Sequence, residues 1–218
     1  MENSFTLWEV EGKSNASIAE LKYLPHLTTS EIQIPDAKLL LTDVLFEKLI
    51  RYRIFIGDVW SWDKNCPTTK TMKLNKLDTS LRLADGISLL LKGAKDLDLR
   101  ELSGAANVFP KLDREGFLQL KHLHVERSPE MQPIMNSMDP ILSPCAFPVL
   151  ESLFLNQLIV LQEVCHGQLL VGSFSYLRIV KVEHCDGLKF LFSMAGGRVV
   201  MGCDQILVDV ILPSRLLN

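Results

Sequence analysis

Residues 150–164 read LESLFLNQLIVLQEV and residues 177–191 read LRIVKVEHCDGLKFL, and the two align without a gap. Apolar residues recur at the first, fourth, sixth, ninth, twelfth and fifteenth places. In one segment these are Leu150, Leu153, Leu155, Leu158, Leu161 and Val164; in the other they are Leu177, Val180, Val182, Cys185, Leu188 and Leu191. AKDLDLRELSGAANV from Ala94 and LKHLHVERSPEMQPI from Leu120 fit the same template with apolar or small residues. Weaker copies precede them in LTTSEIQIP from Leu27, LIRYRIFIG from Leu49 and TKTMKLNKL from Thr69. The fourth-place residues are then Ser30, Tyr52, Met72, Leu97, Leu123, Leu153 and Val180, separated by 22, 20, 25, 26, 30 and 27 residues.

This is the leucine-rich-repeat pattern, and its spacing is close to that expected for the class. In a short strand the fourth and sixth side chains share one face and their neighbours the other. No unit of this length buries its apolar side alone, so stacked units form a continuous core and their strands a parallel sheet. The expected fold is an α/β solenoid: a leucine-rich-repeat horseshoe with parallel β-strands on the concave face and irregular loops or short helices on the convex face. About seven irregular repeats are expected over residues 1–193, with residues 194–218 an atypical C-terminal tail or cap. There Cys203, Ile206, Val208 and Ile211 imitate one more strand, but Gly196 and Gly197 cut the preceding unit short. Ser30, polar at a core place, predicts a weak first repeat. The runs LLTDVLFEKLI from Leu40 and ADGISLLLKGA from Ala84 have helical spacing. SPEMQPIMNSMDPILSPCAFP from Ser128 reads as the longest loop, because proline removes a backbone donor and restricts the residue before it.

Composition narrows the function classes. With 47% apolar and 22% charged residues and a net charge of -3, the 218-residue chain suits a folded protein and has no nucleic-acid-binding bias. The start MENSFTLWEVEGK lacks the basic and apolar regions of a secretory signal, and no stretch approaches the roughly 18 apolar residues of a membrane helix. Five cysteines, an odd number without CxxC spacing, fit a reducing compartment. The expected location is therefore cytoplasmic, with neither a nucleic acid nor a membrane as partner.

The stretches SIAELKYLPHLTTSEIQIPDAKLL, SLLLKGAKDLDLRELSGAANV, FPVLESLFLNQLIVLQEVCHG and SFSYLRIVKVEHCDGLKFLF resemble the C-terminal repeats of plant nucleotide-binding leucine-rich-repeat disease-resistance proteins of the coiled-coil subgroup. The resemblance covers about residues 1–193 and extends to the wording between the leucines. It implies a repeat region of an intracellular immune receptor that senses a pathogen effector or a guarded host protein and restrains a nucleotide-binding switch. The chain departs from that family in having no nucleotide-binding module: the one GK[ST], Gly12-Lys13-Ser14, has Leu7 where GxxxxGK[ST] requires glycine. No nucleotide or other cofactor is expected on this chain.

Two adjacent pairs, Cys165-His166 and His184-Cys185, supply zinc-ligand types, but adjacent side chains diverge and the spacing is not that of common zinc sites. The template instead turns Cys185 inward, where a thiol packs as a small apolar group, and leaves His184 facing solvent. No GxSxG, HExxH or other catalytic signature occurs, so no enzyme activity is expected. Trp60 and Trp62 in GDVWSWDKN are read as packing on the outer side of the solenoid.

The candidate site is the row of side chains alternating with the core leucines. It comprises Arg51, Arg53 and Phe55; Asp96, Asp98 and Arg100; His122, His124 and Glu126; Phe154 and Asn156; and Lys181, Glu183 and His184. Lys73, Asn75, Ser152 and Ile179 lie in the same rows, and Phe55, Phe154 and Ile179 are its expected apolar anchors. Repeat proteins use such concave surfaces to bind partners. The expectation is a protein-recognition module of plant immunity; the alternative is an autoinhibitory brace or decoy docking on a nucleotide-binding module in another chain.

Overall fold

The computed structural model describes residues 21, 23–35, 48–57, 69–78, 85–104, 108–138, 145–192 and 207–211. Eight strands form one all-parallel sheet: β1 (Thr29–Ile34), β2 (Arg51–Ile56), β3 (Lys70–Asn75), β4 (Asp96–Arg100), β5 (His122–Glu126), β7 (Ser152–Asn156), β9 (Ile179–Glu183) and β11 (Leu207–Ile211). They lie side by side in sequence order, so each turn of the chain adds one strand. The fold is a parallel β-solenoid.

Register shows why these segments stack. Ile32, Ile54, Met72, Leu97, Leu123, Leu153 and Val180 are successive partners across the sheet. Two residues on, Ile34, Ile56, Leu74, Leu99, Val125, Leu155 and Val182 form a second column. Every one of these side chains is 6% exposed or less. A one-residue slip of any strand would turn its pair to the other face, so burial fixes the pairing.

The columns correct the expected register of the first two repeats. Ser30 pairs with Tyr52, and Tyr52 with Lys70, so neither belongs to the Met72–Val180 column. The fourth-place series begins at Ile32 and Ile54, giving steps of 22 (32 to 54), 18 (54 to 72), 25, 26, 30 and 27. Ser30 is thus no weak substitute for a core leucine. Tyr52 satisfies an apolar template but serves another purpose: its hydroxyl donates to the Leu90 carbonyl at 2.5 Å. Leu90 lies in the last turn of helix α1 (Asp85–Gly93), whose carbonyls lack helical donors, so the phenol caps it. Burial holds that phenol well above its ordinary pKa. The helix, expected from its spacing, buries Ile87, Leu90 and Leu91.

The same two-residue offset recurs at the other end. Val208 and Val210 of β11 pair with Val180 and Val182, so Val208 holds the fourth place rather than Ile206. Residues 40–47 of the Leu40 helical run, and Trp60, Trp62, Cys66, Gly196, Gly197 and Cys203, lie outside the described residues.

A second, three-stranded parallel sheet was not expected. It comprises β6 (Met135–Asn136), β8 (Glu163–His166) and β10 (Phe190–Phe192), with β8 in the middle. These strands start 12, 10 and 10 residues after Leu123, Leu153 and Val180, while helix α2 (Val108–Leu112) starts 11 after Leu97. Helix α2 therefore fills in one repeat the slot that a strand fills in the next three. The loop predicted from Ser128 contains β6. One hydrophobic core takes side chains from both sheets and both helices.

Three phenylalanines set the spacing between turns. Phe117, Phe147 and Phe174 each precede the first leucine of a repeat by three residues, each has a φ of 55–56°, and each is 2% exposed or less. Each carbonyl accepts the amide of that leucine: Leu120, Leu150 and Leu177. The rings stack, with centroids 5.3 Å apart from Phe117 to Phe147 and 5.2 Å from Phe147 to Phe174; Phe109 meets the first two edge-on. Asp113, buried, holds the entry to Phe117 by accepting its amide at 2.8 Å and that of Glu115 at 2.9 Å.

Candidate face of the main sheet

Side chains opposite the core columns form three columns of their own. One runs Arg53, Thr71, Asp96, His122, Ser152 and Ile179; the next Phe55, Lys73, Asp98, His124, Phe154 and Lys181. The third runs Asn75, Arg100, Glu126, Asn156 and Glu183. Arg51 starts β2 on the same face, and His184 lies one residue past the end of β9. All fourteen predicted site residues therefore belong to this face or its rim.

Their environments differ. Asp98 accepts two hydrogen bonds from Arg100, Nε to Oδ1 and Nη2 to Oδ2, each 2.9 Å, and Lys73 Nζ lies 3.7 Å from its Oδ2. Arg100 Nε also lies 3.2 Å from Glu126 Oε2 on the next strand. Arg127 Nε is 3.3 Å from Glu126 Oε1, and Arg127 reaches on to Glu101 at 3.8 Å. Asp98 and Glu126 are only 9% and 7% exposed, so the pairs that Lys73 and Arg100 make with them are largely desolvated, whereas Arg127 and Glu101 pair at the exposed rim. The centre of the face is a closed charge network spanning β3, β4 and β5.

Phe55 departs from its expected role. It is 5% exposed, with the Lys73 ammonium 5.4 Å from its ring centroid, so it is a covered aromatic rather than an open anchor. The open apolar surface lies farther along the sheet. The His124 and Phe154 rings are 6.1 Å apart, both half-buried, and Ile179, in the neighbouring column on β9, is 42% exposed. Loss of water around His124 pushes its pKa below the ordinary value, against the opposing pull of Asp98 and Glu126. The imidazole Nε2 lies 3.9 Å from Glu126 Oε2. His122 Nδ1 lies 2.7 Å from the buried Ser152 hydroxyl. Lys181 pairs with Glu183 at 2.7 Å, which draws the Glu183 pKa down. Asn75 and Asn156 each bury a side-chain carbonyl that accepts no hydrogen bond from the described residues.

At the rim, Lys76, Glu101, Arg127, Gln157 and His184 all have φ of 50–55°, and each is the fourth residue beyond a fourth-place core residue. The amides of the first four reach the next turn: Lys76 to Arg100, Glu101 to Glu126, Arg127 to Asn156 and Gln157 to Glu183. The left-handed turn thus carries the ladder one residue past the strand. His184 is exposed there, whereas Cys185, next in line, is 8% exposed. The Cys185 thiol donates to the Glu183 carbonyl at 3.4 Å and accepts from the Leu158 amide of the preceding repeat. Burial raises its pKa. Cys165 lies in the second sheet between Met135 and Phe192, fully buried, with its thiol pKa pushed up to about 11. His166 is exposed and paired with Glu163. The described residues contain no group of three metal-ligating side chains.

The role of Lys73 and the coupling of Arg127 to Glu126 were the main omissions from the predicted site. Alternation within each strand placed Lys73 on the face, but only the cross-strand register brings it to Asp98. Comparison of the chain with protein-family models, curated proteins and solved structures found no match. No helix among the described residues is long and apolar enough to cross a membrane.

Proposed function

We propose that the chain is a leucine-rich-repeat recognition module, non-catalytic and cytoplasmic, that binds a protein through the outward face of its eight-stranded sheet. The observation carrying this reading is the contrast within that face. A desolvated charge network at β3–β5 holds its side chains in fixed positions, and beside it His124, Phe154 and Ile179 leave aromatic and aliphatic surface open. Fixed polar groups around an open aromatic centre are what a protein partner uses, because little side-chain entropy remains to be lost on binding. The repeat template and the quoted phrases support a role as the sensor of a plant immune receptor. Its partner is then a pathogen effector or a guarded host protein.

The experiment is capture from plant tissue with purified wild-type chain, a His124→Ala/Phe154→Ala variant and, as a back-side control, His166→Ala. Retention of one partner by wild type and control, and its loss with the double variant, is the expected result. Equal capture by all three would overturn the assignment of the face. Suppression of a co-expressed nucleotide-binding module by the chain, with no partner captured, would favour the brace.

A further inference from the structure

We propose that the β2 end of this face takes the carboxylates of an extended acidic segment of a protein partner, whose next apolar side chain rests on His124, Phe154 and Ile179. This deepens the reading of the face as a protein-binding surface and rests on it. Arg51 and Arg53 leave β2 on one face, two residues apart, exposed and half-buried respectively. Among the described residues, neither guanidinium has a hydrogen bond or ion pair. The other cations of the face are matched: Lys73 by Asp98, Arg100 by Asp98 and Glu126, and Lys181 by Glu183. Glu31 stands in register with Arg53 but forms no ion pair with it, and it is one carboxylate facing two guanidiniums. Like charges side by side on a sheet repel. A pair of carboxylates from outside relieves this repulsion and fits the planar guanidinium fork.

The neighbouring strands decide which kind of anion fits. Beyond Thr71 and Lys73 on β3, the latter already paired with Asp98, come Asp96 and Asp98 on β4 and Glu126 on β5. A nucleic acid or other polyanion lying across the strands would carry its second and third charges onto these carboxylates. A peptide with two acids followed by neutral residues would not. From β2 to β7 the sheet order passes through β3, β4 and β5, which makes four strand spacings, about 19 Å. An extended chain covers that in roughly six residues. The structure therefore assigns a segment with an acidic pair at one end and an aromatic or large aliphatic residue roughly six positions away.

The test is selection of random dodecapeptides displayed on phage against the full chain, followed by affinity measurements on the enriched peptides by fluorescence anisotropy. Enrichment of Asp and Glu at the stated distance from Phe, Tyr, Trp or Leu is expected. Arg51→Glu/Arg53→Glu should weaken those peptides by at least about tenfold and, used as bait, select Lys and Arg instead. Arg53→Gln, which removes one charge without reversing it, should give an intermediate loss. Peptides that depend on Phe154 but carry no acidic preference, or that ignore the arginine reversal, would overturn the acidic assignment and leave the face reading intact. Peptides insensitive to both Phe154 and the arginines would overturn both. Equal, arginine-dependent binding of single-stranded DNA would make the site a general anion site and overturn the proposal.

Discussion

Ser128 and Cys185 occupy the same station in two repeats, and each ties its own turn to the one before. The Ser128 hydroxyl donates to the Glu126 carbonyl at 3.2 Å and accepts from the Leu102 amide at 3.1 Å. The Cys185 thiol does the same with the Glu183 carbonyl and the Leu158 amide. Ser128→Ala strands a fully buried amide and should cost about 1–3 kcal/mol in urea denaturation. Cys185→Ser keeps both contacts and should leave the midpoint nearly unchanged.

The phenylalanine stack predicts a graded series. Phe147 touches Phe109, Phe117 and Phe174, so Phe147→Ala leaves a hole between two turns on either side. A loss of about 3–5 kcal/mol is expected, and hydrogen exchange should quicken in both β5 and β9. Phe147→Leu should recover most of the stability.

Arg100 stands between two carboxylates that burial has largely stripped of water. Arg100→Met would bring Asp98 and Glu126 together without the cation and should destabilise the chain by about 3 kcal/mol. Arg100→Met combined with Asp98→Asn and Glu126→Gln should restore much of the loss, as the melting temperatures of the single and triple variants would record.

His124 predicts a pH dependence. Its folded pKa lies below the ordinary value of 6.5, chiefly through desolvation, so near that pH the unfolded chain binds more protons. Stability contributed by the neutral imidazole is complete above 6.5 and falls as pH drops through 6.5 toward the lower folded value. Melting temperature measured from pH 7.5 to 5.5 should decline less steeply in His124→Gln than in the wild type.

Gly57, at φ 108°, has no room for a side chain: a Cβ there would overlap the Asn75 carbonyl oxygen on β3. Gly57→Ala should disturb the β2–β3 pairing, seen as lost amide protection in both strands.

From Leu97 onward the sequence was a faithful guide, because each repeat places two branched or leucine side chains two residues apart and nothing competes with them. It misled at Tyr52, where an aromatic residue met the apolar template yet its length carried the hydroxyl to α1. The second sheet was hidden for a different reason: strands such as Met135–Asn136 and Phe190–Phe192 are too short for alternation to register. A signal for the ring stack was present in Gly116-Phe117, Ala146-Phe147 and Ser173-Phe174, each three residues before a repeat-opening leucine, but left-handed phenylalanines run against backbone preference. For the candidate face, alternation gave membership. Which charges meet depends on register between strands 25 to 30 residues apart from β3 onward, and no local spacing encodes that.

The interlocked charges of Lys73, Asp98, Arg100, Glu126 and Arg127 also bear on how such a surface diversifies. A substitution at one of them strands its neighbours, so new variants arise there only as matched sets, which mutation supplies rarely. Arg51 and Arg53 on one side, and Phe154 and Ile179 on the other, can each change singly. Among descendants of this chain, inherited differences on this face would gather on β2 and on β7 and β9, on either side of a middle that stays the same.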